Sequence, residues 1–328
     1  VIADLLLCAS LVTRPIAVDT TPVVDSVYLA PQEYMYANDR RYTFLGGTPR
    51  RETEVQPIPT ALLGAGYLGL FIGLHQVQAN AWWSDQRGEF HVVEDWEYAK
   101  GLDKLGHFYG GYINSTLFQG ILTECGFSYE ASVWTGAAMG LAYQTYVEIE
   151  DGFAQEWGFS PSDAASNLLG AGFTVAQFYV PWLQNITPRW SYVPVEWTGG
   201  QQITTRPTTF IDDYNSTTFW FSFNVDNILA ASAAQYWPDW LTVDVGYGIY
   251  DYGEVDSNNV YVGGRPRFMI GLNYNWMKII PPLPGFLNYV RSFLNYIHMP
   301  GPTIEFGSEG TKFRIFYPFT ITIGEFKF

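Results

Sequence analysis

Asp103-Lys104-Leu105-Gly106-His107, followed by Glu148 and Asp151 and then by Ser160-Pro161-Ser162-Asp163-Ala164-Ala165-Ser166-Asn167-Leu168-Leu169-Gly170, sets acids, a histidine and an amide on otherwise apolar segments. Between these marks lie Tyr109 to Ile121 and Ala131 to Val147, runs rich in Gly, Ala and aromatics that read as helices buried on nearly every side. Polar groups in such surroundings must be paired, cap a helix or do chemistry.

Working outward, Thr60 to Ala79 reads TALLGAGYLGLFIGLHQVQA, with no formal charge when His75 is neutral. Its length is close to the ~20 residues of a bilayer-spanning helix. Gly64, Gly66, Gly69 and Gly73 would let another helix approach closely, and Trp82-Trp83 would mark a membrane interface. Tyr129 to Glu150 is a further helix. Ser160 is a good N-cap, Pro161 suits the first helical position and Asp163 completes a start resembling a capping box, so the last helix should run to about Phe178 and stop before Pro181. A bundle of about four apolar helices is the natural packing solution.

After Pro188 the period changes to two. Phe219, Phe221, Phe223 and Val225 alternate with Trp220, Ser222 and Asn224, and Leu241 to Ile249 and Phe268 to Trp276 alternate likewise. Thr311 to Tyr317 and Thr320 to Phe328 close the chain, with a short amphipathic helix expected within Gly285 to His298. The predicted class is α+β: an apolar helical bundle, then an antiparallel sheet from about Phe219 that is partly barrel-like. The corresponding division is an extended lead-in over 1–58, a bundle over 59–188 and a β-rich region over 189–328. The ending Phe326-Lys327-Phe328 resembles the last strand of outer-membrane barrels, but four to seven strands fall short of the minimum of about eight. A sheet packed on helices or resting at a membrane surface is therefore expected in place of a pore.

With 17 basic against 32 acidic residues the formal charge is −15, which repels phosphate backbones and argues against nucleic-acid partners. Aromatics make up 18% of the chain, a surplus that suits membrane-interface belts. Cys8 and Cys125 are too few for a disulfide framework or a structural zinc site. Leu5-Leu6-Leu7-Cys8-Ala9 resembles a lipobox, with a large Leu7 where a small residue is expected. Lipidation of Cys8 and a Cys8–Cys125 bridge both remain open, and Val1 to Val12 reads either as the remnant of a signal segment or as an ordinary buried start.

Asp103 and His107, four apart on a helix, share a face, and a carboxylate there would orient the imidazole and raise its basicity. Asp103, His107 and Asn167 are thus the candidate catalytic set, expected to meet inside the bundle. Lys104, Glu148, Asp151, Ser160 and Asp163 form the polar surroundings. Glu148, Glu150 and Asp151 crowd a helix end, where the dipole disfavours negative charge unless Lys104 or a cation answers it. Asp103, His107, Glu148 and Asp151 would make a mixed oxygen and nitrogen metal site. The plain alternatives are a satisfied Asp–His hydrogen bond, a solvated acidic helix end and a capping role that accounts for Asp163 by itself. His75 reads as a satisfied core histidine, and His91 and His298 show no partner pattern. The identity of any cofactor stays open.

Asp-Lys-x-x-His opening one helix, an acid-rich helix end about 40 residues later and Ser-x-x-Asp-x-x-x-Asn-x-x-Gly opening the next resemble the VanZ-like families, and among them the YfiM-related cell-envelope proteins. The resemblance covers roughly Trp96 to Pro188, and Asn273-Tyr274-Asn275 and Pro300 to Glu305 resemble longer members of that group. The chain departs from the usual Glu-x-x-Gln, having Glu148-Ile149-Glu150-Asp151. The resemblance implies a fold and an envelope location and no established reaction. The functional expectations are a lipid-contacting envelope protein of the Gram-negative outer membrane, binding lipid or serving as a structural subunit beside other envelope proteins, or an enzyme acting on a lipid-linked substrate through His107 and Asp103.

Overall fold

The computed structural model describes residues 27–30, 33–37, 39–40, 43–81, 83, 87–198, 210–253, 263–320, 322–323 and 326–327. Cys8, Trp82 and Phe328, and with them the lipidation, interface and barrel-ending readings, lie outside these residues.

Four long helices follow the apolar runs: α1 (Pro57–Ala81), α2 (Leu102–Glu124), α3 (Tyr129–Phe153) and α4 (Pro161–Tyr179). Ser128 caps α3 by accepting from the Ala131 amide, and Ser160 caps α4 by accepting from the Asp163 amide, each satisfying a donor the helix itself leaves unpaired. Helix α2 lies at the centre of the bundle. Its contacts with α3 and α4 are set by glycines where backbone meets backbone. A Cβ on Gly170 would sit 2.0 Å from the Phe108 carbonyl oxygen, one on Gly111 2.4 Å from that of Asn167, and one on Gly140 2.6 Å from the Ser115 nitrogen.

The glycines of α1 behave differently. Nothing lies within 4 Å of a Cβ built on Gly64, Gly66, Gly69 or Gly73, so they serve no close approach. Helix α1 docks instead through an i, i+4 aromatic stripe. Tyr67 meets the Phe118 ring at 5.0 Å and donates to the Met139 carbonyl, Phe71 meets Tyr143 at 5.1 Å, and His75 Nδ1 lies 2.6 Å from the Tyr146 hydroxyl. Most of the remaining apolar side chains of α1, Leu62, Leu68 and Ile72 among them, are exposed, while Gln78 near its C-terminal end is buried.

Six antiparallel strands form an open sheet in sequence order: β1 (Ile186–Tyr192), β2 (Thr217–Phe223), β3 (Leu241–Tyr250), β4 (Arg265–Tyr274), β5 (Gly301–Gly307) and β6 (Gly310–Tyr317). The class is α+β, as the periodicity predicts. The sheet nevertheless starts about thirty residues before Phe219. Strand β1 reads Ile-Thr-Pro-Arg-Trp-Ser-Tyr, and Pro188 and Arg189 hide its alternation. Proline can be accommodated in an edge strand, and Arg189 lies on a face that is buried yet polar. Gly301-Pro302 opens β5, an interior strand that escaped the sequence reading. The expected amphipathic helix is α5 (Phe286–Leu294). Beyond it, Trp190 bridges Ile297, partly covering the β1 edge.

The sheet curls until β6 meets β2 across its concave side: Tyr317 Oη lies 3.0 Å from Thr218 Oγ1, and its ring packs edge-on to Trp220. The opposite face of β1 and β2 rests on α2, where Phe221 contacts Phe108 and Phe219 contacts Tyr109. Phe219, Leu102, Ala99, Tyr214 and Ile249 form the core cluster that joins sheet and bundle.

Candidate functional site

The start of α2 is built on backbone strain. Ala99, Lys100 and Gly101 carry positive φ of 46°, 55° and 76°, of which only glycine adopts the last freely. Left-handed geometry costs a residue with a Cβ roughly 1–2 kcal/mol. Burial of Ala99 in the core cluster, and a hydrogen bond from the Tyr247 hydroxyl to the Lys100 carbonyl at 2.7 Å, hold the turn in place. The turn presents Asp103 and Lys104 in the first turn of α2, where a carboxylate is favoured by the helix dipole.

Lys104 Nζ is the hub of the resulting cluster. It lies 2.6 Å from Asp163 Oδ1, 2.7 Å from Asp95 Oδ1 and 2.8 Å from Asp103 Oδ2, with its side chain almost fully enclosed. His107 extends the network: Nε2 is 3.7 Å from both Asp103 and Asp163, and Nδ1 is 3.2 Å from both Glu148 Oε1 and Asn167 Oδ1. Asn167 also accepts from Gln144 Nε2 at 2.8 Å and donates to Glu148 Oε1 at 3.4 Å. Asp103, His107 and Asn167 thus share one polar knot with Lys104, Glu148 and Asp163. Ser160 joins it by donating to Asp95 at 2.6 Å.

Several individual expectations change. Asp163 does more than begin a helix, because its carboxylate faces Lys104 and His107. Lys104 does not answer the acidic end of α3: Glu150 pairs with Arg87 at 2.6 Å, and Asp151 accepts from Trp83 Nε1 at 2.6 Å. Trp83 therefore spends its N–H within the protein. His75 is bonded to Tyr146, His91 Nδ1 lies 3.3 Å from the Glu89 carbonyl, and His298 has a definite setting in the sheet, stacked 3.7 Å from Trp220 and 3.6 Å from Asp244.

Four residues of the knot escaped the sequence reading. Asp95 and Trp83 lie in connecting segments with no periodicity to place them, and Tyr214, which donates to Asp103 at 2.5 Å, comes from the far half of the chain. Gln144 left a usable signal: it stands four before Glu148 and so shares its helix face.

The charges set the chemistry. Burial alone would lower the His107 pKa, but the carboxylates of Asp103, Asp163 and Glu148 outweigh it and lift the ring to about 9. Burial pushes Glu148 up to about 8 and Asp151 to about 7, and burial with the neighbouring Asp103 charge carries Asp163 to about 6. For Asp103 burial is overcome by His107, Lys104 and the Tyr214 hydroxyl, which hold it below the ordinary aspartate value. At neutral pH His107 is therefore protonated. A general base must be free to accept a proton, so the resting ring is arranged as a donor.

Asp103, His107 and Asp163 each offer one ligand atom, all within 4.8 Å of one another. Glu148 and Asp151, expected in a metal site, both stand outside that triad, and Lys104 already supplies the central positive charge. A cavity of about 80 Å³ lies elsewhere, among Tyr112, Thr116, Thr174, Gln177 and Tyr296, and is lined by hydroxyls and amides without a charged group.

Residues 92–179 match a family model described as predicted periplasmic lipoprotein (DUF2279). The match contains the knot except for Trp83 and Tyr214, fits an envelope-associated protein and carries no activity. Comparison with curated proteins and with solved structures gave no match.

Proposed function

We propose that the protein is a membrane-associated component of the cell envelope, in the outer membrane of a Gram-negative cell and related to the VanZ-like families, with the bundle as its lipid-binding and structural part. One observation carries this reading: Pro57–Asn80 is a 24-residue helical span that contains an 18-residue stretch of mean hydropathy 1.5, none of which is buried. Such a helix exceeds the ~20 residues needed to cross hydrocarbon. Each large aliphatic side chain left in water forgoes roughly 1.5–3 kcal/mol of burial. A bilayer around the exposed flank of α1 recovers that energy.

The test is fractionation of untagged protein. Wild type is expected in the membrane fraction, released only by detergent, and Leu68→Asp with Ile72→Asp should shift it toward the soluble fraction. Wild-type protein that stays soluble after detergent-free breakage, with tryptophan emission indifferent to added vesicles, would sink the proposal.

A second reading, catalysis on a lipid-linked substrate, is favoured by the level at which the knot stands. Contacts of Tyr67, Phe71, His75 and Trp83 run in the same order along α3, through Met139, Tyr143, Tyr146 and Asp151. They put the acidic end of α3 level with the C-terminal end of α1, where headgroups would lie. Lipid extracted with wild type and with His107→Ala separates the two: an altered lipid product supports the enzyme, unchanged bound lipid the binding role.

A further inference from the structure

The sheet is inside out. On its concave face Arg189, Asp244, Arg267 and Glu305 are at most 4% exposed. On its convex face, beyond the part covered by α2, the cross-strand partners Val245, Ile270, Ile304 and Phe313 make one continuous row over β3 to β6. Phe268 and Phe306 make a second, beside Tyr247, which packs against the core cluster and donates to the Lys100 carbonyl. Phe268 is 58% and Phe313 55% exposed, against 0% for Asp244 on the opposite face. A sheet in water turns its polar face outward. Polar inside with apolar outside is the arrangement of a sheet whose surroundings are less polar than its own interior.

The geometry points to the acyl chains of a bilayer as the occupant of this convex face. Across the middle of the patch the row of Val245, Ile270, Ile304 and Phe313 offers no hydrogen-bonding side chain, as contact with hydrocarbon requires. The ends of the patch are graded as a membrane contact requires. Trp240, Tyr274 and Trp276 cluster at one end, amphipathic rings of the type that collects at headgroup level. Arg265 with Asp251 and Glu309 stands at the other. Six strands with an open edge cannot cross as a closed barrel, since unpaired edge groups are expensive in hydrocarbon. The face therefore rests on one leaflet and does not cross the bilayer. This builds on the membrane reading above but rests on a different surface, giving the protein a second lipid contact besides α1.

The experiment places the photo-cross-linker benzoylphenylalanine singly at the positions of Phe268, Phe306, Leu68 and the exposed Glu89 in the full chain, reconstituted in phosphatidylethanolamine–phosphatidylglycerol vesicles, with adducts read by mass spectrometry. All four positions are exposed, so folding should tolerate the probe. Lipid adducts at 268 and 306 severalfold above those at 89 are the expected result. Cross-links from 268 or 306 to a second copy, or yields no higher than at 89, would overturn the assignment. Position 68 reports separately: lipid there with none at 268 and 306 removes this contact alone, and no lipid at 68 removes the α1 reading.

Discussion

Bundle and sheet both bury charge, and they do it differently. In the bundle Lys104 touches three carboxylates at 2.6 to 2.8 Å. In the sheet the ionic neighbours stand apart, Arg189 and Asp244 at 3.8 Å and Arg267 and Glu305 at 3.8 Å, while His298, kept neutral by burial and the Arg189 charge, lies 3.6 Å from Asp244. The close set acts as a single ionic unit, whereas the sheet interior is a polar medium in which hydroxyls share the task. Ser222 and Thr242 both donate to Asp244, and Arg267 lies 3.7 Å from the centre of the Tyr250 ring. The lesson is that a buried charge is fixed most sharply where its partners leave it no alternative, and the knot is the place in this molecule that meets that condition.

The contrast can be broken most directly at Lys104. Lys104→Met leaves Asp95, Asp103 and Asp163 facing one another, and removal of one side of a buried ion pair costs about 3–5 kcal/mol. Urea unfolding should show a loss of that order. Asp244→Asn keeps the size of the side chain and one acceptor for Ser222 and Thr242, so the expected loss is smaller, about 1–3 kcal/mol. Equal losses in the two variants would mean that spacing does not distinguish the two regions.

A pH series sharpens the account of the knot. The folded pKa of His107, about 9, lies above its unfolded value, so its contribution is full below about 6.5 and is lost as pH rises toward 9. Glu148, raised to about 8, acts with the same sign: ionising it in the folded state is unfavourable, so stability falls between about 4.5 and 8. Urea midpoints of wild type should therefore decline from pH 6 to pH 9, and Glu148→Gln should decline less. A wild-type midpoint that rises over this range would contradict the assigned directions. Asp103 works oppositely, its contribution being lost in acid as pH falls through its depressed folded value.

The smallest effects compare glycines within the bundle. Gly170→Ala would drive a methyl into the Phe108 carbonyl, an overpacking that costs about 1–3 kcal/mol. Gly66→Ala has open space around it in α1 and should be neutral or gain up to about 1 kcal/mol in helix propensity. Thermal midpoints in detergent would read both. A penalty for Gly66→Ala comparable to that for Gly170→Ala would show a packing partner for α1 that these contacts do not include.

What the sequence by itself determined is local and periodic. Runs at helical spacing, a Ser-Pro helix start and alternation of Phe with polar residues follow from side-chain geometry that recurs every few residues, so four helices and most of the sheet could be read directly. The i, i+4 relation of Asp103 and His107 belongs to the same class. Only tertiary structure decided what each face looks toward. Which glycines meet a neighbour, that Trp83 binds Asp151 and that Tyr214 reaches Asp103 across 111 residues are outcomes of helix crossing and sheet curl, which no short window contains. The inversion of the sheet is the largest such case. Alternation separates two faces by type, but their assignment to inside and outside depends on what surrounds the strands, and here the curl of the sheet encloses Arg189, Asp244, Arg267 and Glu305 while Phe268, Phe306 and Phe313 remain exposed.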